Sequence, residues 1–293
     1  MVVNTKIEKI FNGFLNLILG LAALVCFWVI LQVFFFTSFR IPSDSMEPEL
    51  VAGDYVFVNK LLMGPRLFNI FASMRGEQVE IYRMPGLEYV RRNDVLVFNF
   101  PHPNRWDKIE MHIMKYYIKR CIGLPGDTLA IENGFYQIQG VQKNVGNREA
   151  QQRIAKAKEI DFEQGVYRCF PFDSILNWNI QHFGPIYIPK AGDRLPMNHL
   201  NLILYRKVIE WEQQGKLTEV DSVIYIDGKP LKSYCFLKNY YFMGGDKGEN
   251  SQDSRYWGLL PEEYIVGKAS FIWKSIDPYT EEWRWERFLK KIK

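Results

Sequence analysis

Tyr116-Tyr117-Ile118-Lys119-Arg120-Cys121-Ile122-Gly123-Leu124-Pro125-Gly126-Asp127 places a lysine inside an apolar run that stops at a Pro-Gly turn. The run is aromatic and β-branched, and it reads as a buried strand. A lysine held there loses its hydration, which disfavours the ammonium and lowers its pKa. A second stretch, Ile41-Pro42-Ser43-Asp44-Ser45-Met46-Glu47-Pro48, offers a serine directly after a long apolar segment. A serine nucleophile needs a base, and a lysine kept neutral by burial is one variant of the triad logic.

Outward from these two stretches the chain reads mostly as strands. Asp54 to Lys60 alternates and is rich in β-branched and aromatic residues. Asp94 to Phe100 is a continuous apolar run ending at Pro101, and Met114 to Ile122 is another. Asn133-Gly134 and Asp227-Gly228 each follow a strand-like run and signal hairpins. Tyr240 to Met243 and Tyr264 to Trp273 supply further strands. Between residues 140 and 221 the text turns polar and helical, with helix formers over 147–163 and an amphipathic pattern over Pro196 to Gln214 closed by Gly215. The fold class expected is mainly β: a β core with barrel-like closure, a partly helical inserted subdomain and one N-terminal transmembrane helix.

Residues 10–39 carry no charged side chain, and Phe14 to Phe36 is dense in Leu, Ile, Val and Phe. Those 23 residues would span roughly 34 Å as a helix, enough for a hydrocarbon core of about 30 Å. The run continues into Phe34-Phe35-Phe36 with no small-residue cleavage site, so it reads as a permanent anchor and not a cleaved leader. Lys6 and Lys9 before it, against Arg40 after it, weakly favour an N-terminus inside and the bulk outside. The organisation expected is 1–13 short cytoplasmic N-terminus, 14–37 anchor, 38–139 first part of the core, 140–221 insert, 222–275 second part of the core and 276–293 basic aromatic tail.

A net charge of +4 is mild, and only the tail interleaves cations with aromatics, so nucleic acid is not expected as a partner. The four histidines, at 102, 112, 182 and 199, are scattered and no cysteine spacing suggests zinc; no cofactor or metal is expected. Cys26 lies in the apolar segment and Cys121 in the lysine strand. Cys169 and Cys235 are left as a pair that an oxidising compartment would allow to bridge. The tail from Trp283 to Lys293 reads either as a solvated terminal helix or as a contact for anionic headgroups.

The chain resembles the bacterial type I signal peptidases, membrane-bound Ser-Lys endopeptidases that remove signal peptides. Four blocks carry the resemblance, in order. Ser43 to Leu50 is similar to S-x-S-M-x-P-T-L, with Glu49 in place of the usual Thr. Gly53 to Lys60 matches G-D-x-V-x-V-x-K, and Lys119 to Asp127 matches the lysine block. Gly245 to Gly258 resembles G-D-N-R-x-x-S-x-D-S-R-x-W-G, with Lys247 and Gly248 in place of Asn-Arg. The resemblance covers residues 14–139 and 222–275 and little of the insert.

It implies roles residue by residue. Ser45 resembles the nucleophile, Lys119 the general base, Ser43 the oxyanion donor together with the Ser45 N–H, and Ser251 the serine that orients the lysine amine. Asp253 and Arg255 resemble a supporting ion pair; alone they would read as a surface pair of under about 1 kcal/mol. Phe39, Ile41, Pro42, Met46, Leu50 and Ile118 would line shallow apolar pockets for the small residues that end a signal peptide, though each also suits core packing. The implied partners are signal peptides of exported preproteins, the lipid bilayer and the protein-export machinery. The implied place is the bacterial inner membrane, single-pass, with the catalytic part on the outer face. The alternatives are an inactive membrane-anchored binding or scaffold protein on the same fold, and a processing peptidase dedicated to one secretion system. A soluble self-cleaving Ser-Lys repressor is disfavoured by the apolar segment.

Overall fold

The structure, a computed structural model, describes residues 2–75, 77 and 79–293, with backbone alone over 2–7. Met1, Gly76, Gln78 and the Lys6 side chain used above for orientation lie outside the described residues. Val2–Ile30 is one helix, α1, continued by a wider turn over Leu31–Phe35. Every side chain from Glu8 to Ile30 is exposed, so its Leu and Phe residues pack on no part of the described protein. The helix is long and apolar enough to cross a membrane. The chain becomes a strand at Phe36, earlier than the boundary at 37 expected from hydropathy. Lys60 marks the junction, its amine donating to the carbonyls of Gln32 (2.7 Å) and Val33 (3.3 Å) at the helix end, where a cation meets the negative pole.

Seven antiparallel strands form the main sheet: β1 Phe36–Arg40, β2 Asp54–Asn59, β3 Val95–Asn99, β4 Tyr116–Gly123, β5 Tyr240–Gly244, β6 Leu260–Pro261 and β7 Ile265–Ser275. Their order is β1-β2-β7-β3-β4-β5-β6. Register shifts in β7 at three places and between Phe242 and Met243 bend the ladder into a curled half-barrel. Why β3 reads as an unbroken apolar run is now evident. Val95 and Val97 enter a small core with Ile41, Met46, Leu50 and Val266, while Leu96 and Phe98 enter the large core on the other face. A strand buried on both sides has no polar face to alternate with.

The second unit begins earlier than expected. Thr128–Glu132 pairs with Phe135–Ile138 through Asn133-Gly134, whose φ values of 49° and 82° are both positive as a tight hairpin requires. Thr128–Glu132 also pairs with Phe183–Tyr187, so the pairing runs across residue 140. Likewise Leu217–Val220 pairs with Val223–Ile226 across the expected boundary at 221. The polar segment gives the helix Arg148–Lys156, capped by the Asn147 side chain. The amphipathic one gives His199–Gln213, capped by Asn198 rather than opened at Pro196, which sits in the strand Arg194–Pro196. Cys169 and Cys235 are not bridged: the first is buried, and the second lies beside the Gly192 carbonyl.

The tail is not a solvated helix. It runs back along the sheet, with Ile292 N donating to Ser270 O (3.1 Å) and Ile272 N to Lys290 O (2.9 Å). Arg287 pairs with the buried Asp54 through Nε–Oδ1 at 2.8 Å and Nη2–Oδ2 at 2.6 Å. Asp54 also accepts from Ser275 Oγ and Val51 N. Trp283 and Trp285 stack at 5.1 Å and remain partly exposed. Arg287→Ala would leave Asp54, at 0 % exposure, without its cation, and a loss of about 1–3 kcal/mol in unfolding free energy is expected by denaturant titration. An unchanged midpoint would mean that the tail merely lies on the surface.

Candidate active site

The loop between β1 and β2 carries both serines. The β1–β2 ladder runs on through Ile41 N to Asp54 O (2.8 Å) and Gly53 N to Ile41 O (2.9 Å), which fixes where the loop leaves the sheet. Within it Glu47 N bonds Asp44 O and Leu50 N bonds Met46 O, making a compact turn. Met46 and Leu50 are completely buried in the small core. They therefore pin the turn from beneath and do not line a substrate groove, contrary to expectation. With that anchor below, Ser45 stays half-buried and faces β4.

Lys119 sits mid-strand on β4, paired across the ladder with Leu96. Its amine lies 2.6 Å from Ser45 Oγ and 3.1 Å from the Ile118 carbonyl. The Tyr117 ring is 5.6 Å away. Burial lowers the Lys119 pKa from 10.5 to about 8, against the opposing pull of Asp253, Asp246 and Asp44. Loss of hydration is thus the dominant cause, as the sequence pattern implies. Deprotonation is easier by about 3 kcal/mol than for a free lysine. Strand alternation sends Arg120 to the other side. There it makes a two-pronged pair with buried Asp246, at 2.6 and 2.5 Å, and donates to the carbonyls of Asn93 and Lys293.

The loop after β5 closes the site. Gly245 lets it approach: a Cβ there would stand 2.0 Å from Ser251 Oγ and 2.8 Å from the Ser45 carbonyl. Ser251 Oγ is buried and makes no hydrogen bond to a described residue, the Lys119 amine included. Asp253 and Arg255 form a fully buried pair, at 0 % and 1 % exposure, not a surface one. Ser43 is exposed and its hydroxyl has no bond to a described residue.

A groove of about 340 Å³ runs beside Ser43. Phe39, Ile41, Pro42 and Ile118 line it, joined by Val97, Met114, Tyr116 and Tyr117. Two strand edges border it. β1 is the last strand of its sheet, and β5 pairs with β4 only from Arg120 onward, leaving residues 116–119 open on that side.

One contact was not legible in the sequence. Lys247 pairs with Asp44, lies 3.1 Å from Glu47 Oε2, and donates its N–H to the Ser45 carbonyl at 3.1 Å. The lysine that replaces the expected Asn thus ties the last block to the nucleophile turn. Asp44 and Glu47 occupy variable positions of their block, so of the three only Lys247 departs from the pattern, and its partners could not be read from the sequence.

Residues 14–274 match the profile of a family described as "Signal peptidase, peptidase S26". A protein of Buchnera aphidicola subsp. Schizaphis graminum named "Signal peptidase I" is 30 % identical over 90 % of this chain and 76 % of its own length. One of Haemophilus influenzae with the same name is 30 % identical over 98 % of this chain and 78 % of its own. The Pseudomonas aeruginosa protein of that name is 27 % identical over 84 % and 68 %.

Proposed function

The chain belongs to the signal peptidase family, and we propose that Ser45 and Lys119 are the nucleophile and general base with which it removes N-terminal signal peptides from exported preproteins. It is a type I signal peptidase, a serine peptidase. The observation that carries the assignment is the 2.6 Å approach of a buried lysine amine, with a pKa near 8, to a serine hydroxyl.

In the neutral state the Ser45 O–H donates to the Lys119 lone pair. As Oγ attacks the scissile carbonyl carbon, that proton passes to Nζ. The carbonyl oxygen takes up the negative charge, and the Ser43 hydroxyl with the Ser45 N–H is where it would be held, about 3 kcal/mol for one donor. Collapse breaks the C–N bond, and the Lys119 ammonium returns its proton to the leaving amine. Water then repeats the cycle on the acyl-enzyme. We assign Ser251 to orient the amine in the loaded site, and Asp253 and Arg255 to hold the loop that carries it. Substrate lies extended in the groove, pairing with the open edges of β1 and β4. Phe39, Ile41, Pro42 and Ile118 present apolar walls to small side chains ahead of the cut.

We place α1 across the inner membrane with the N-terminus inside and the sheet on the outer face. A helix whose apolar side chains are all exposed supports a lipid environment. The short link from Phe35 to Ser45 then keeps the site near the bilayer surface where export delivers signal peptides.

Detergent-solubilised protein should cleave a preprotein with Ala-x-Ala at its junction, with kcat/KM rising with pH along a limb centred near 8. The sign follows from the base: below its pKa the amine is protonated and cannot accept the serine proton. No cleavage, or a flat profile from about pH 6 to 9, would remove the neutral-lysine mechanism.

A further inference from the structure

Three carboxylates act on the Lys119 amine, and each has its own cation. Asp253 is paired with Arg255 and Asp246 with Arg120, both pairs buried. Asp44 is the third; its partner is Lys247, half-exposed, with Asn250 Nδ2 donating to it at 3.0 Å. Glu47, one turn on, shares the same ammonium at 3.1 Å. Arg255 itself also acts on the amine, opposing its charge; the hydrogen-bond and ring neighbours among the described residues are uncharged: the Ser45 hydroxyl, the Ile118 carbonyl and the Tyr117 ring. The sequence at these positions matches this geometry. Two acidic residues fill the variable positions of the nucleophile block, and a lysine stands where the last block usually has Asn.

We propose that Lys247 is a positioning residue of this peptidase, strapping the nucleophile turn to the closing loop and cancelling the Asp44 charge beside the catalytic lysine. The inference rests on the Ser45–Lys119 reading. Asp44 favours the charged form of Lys119, as Asp253 and Asp246 do. With Lys247 gone, Asp44 is left without its cation, and the amine keeps its proton to higher pH. The strap also fixes the Ser45 carbonyl through the Lys247 N–H, which any side chain at 247 retains, so charge and backbone support separate by mutation.

The test is the pH profile of kcat/KM for the full chain in detergent. Lys247→Ala is expected to move the rising limb upward by about half a unit, a loss of about threefold at pH 7. KM and the plateau rate at high pH should stay near those of the parent. Adding Asp44→Asn to Lys247→Ala should bring the limb back. If Lys247→Ala proves too unstable to assay, Lys247→Asn keeps a side chain able to bond Asp44 without the charge, and the same shift is expected. A uniform loss at every pH with the limb in place would overturn the proposal and leave Lys247 as a loop prop. A limb that Asp44→Asn fails to restore would overturn it too. Both results presuppose a parent limb that vanishes with Lys119; a flat parent profile would instead fault the underlying reading.

Discussion

Lys119→Arg is expected to abolish preprotein cleavage, by about 10⁴-fold or more, as removal of a member of a nucleophile–base unit does. A guanidinium keeps its proton at any working pH, so it cannot accept one from Ser45. Ser45→Ala and Lys119→Ala should fail equally, because the two act as one unit and losing either loses the step. Lys119→Met adds a readout that simple damage would not give. The folded-state pKa is depressed from 10.5 to about 8, so the folded chain binds fewer protons than the unfolded chain between those values. Burying the amine therefore costs stability in full below pH 8, and the cost fades as pH rises through 10.5. Lys119→Met should raise the unfolding free energy at pH 7 by about 1–3 kcal/mol while losing activity, with the gain shrinking at alkaline pH. Retained cleavage in Lys119→Arg would end the Ser-Lys reading. A less stable Lys119→Met would mean that the amine stays charged and usefully paired.

The parts of this molecule that the sequence announced are those set by neighbours in the chain. β3 declared itself as an apolar run because it is buried on both faces. Asn133-Gly134 and Asp227-Gly228 declared their turns because few other residues accept two positive φ values in succession. Ser45 and Lys119, which the fold brings within 2.6 Å, were singled out by block spacing, and Lys119 by its apolar flanks as well. What stayed hidden depends on partners far along the chain. Phe36 and Thr37 looked like the end of a membrane span, since such residues suit lipid and strand alike; only pairing with Asn59 and Val58 makes them the start of β1. The tail looked like a charged terminus because Arg287 and Asp54 stand 233 residues apart, and no periodicity connects them. Met46 and Leu50 were expected in the groove because proximity to Ser45 says nothing about which way a turn faces. Hydropathy placed the insert at the change of composition, whereas the fold places it where the strands pair.

Arg255→Met should be the most damaging change to the fold among the site residues. Arg255 grips Asp253 through Nε–Oδ1 at 2.8 Å and Nη2–Oδ2 at 2.7 Å, and its Nη2 also donates to the Gly248 carbonyl at 2.7 Å. Asp253 in turn accepts the Gly245 N–H at 2.9 Å, so the pair holds both ends of the loop that carries Lys247 and Ser251. Stripping the cation leaves a carboxylate buried and uncompensated, which costs about 3–5 kcal/mol in unfolding free energy. Replacing both partners, as in Asp253→Asn with Arg255→Met, removes the orphaned charge, and a large part of the loss should return. The two variants must also differ at the amine. Asp253 favours the charged lysine and Arg255 opposes it, so whatever Arg255→Met protein stays folded should need a higher pH to work, while the double variant should not. Denaturant midpoints and pH profiles on the same three proteins decide the matter. If Arg255→Met loses less than about 1 kcal/mol, the value of an exposed ion pair, the buried pair does not hold the closing loop, and the support of that loop must come from elsewhere in the fold.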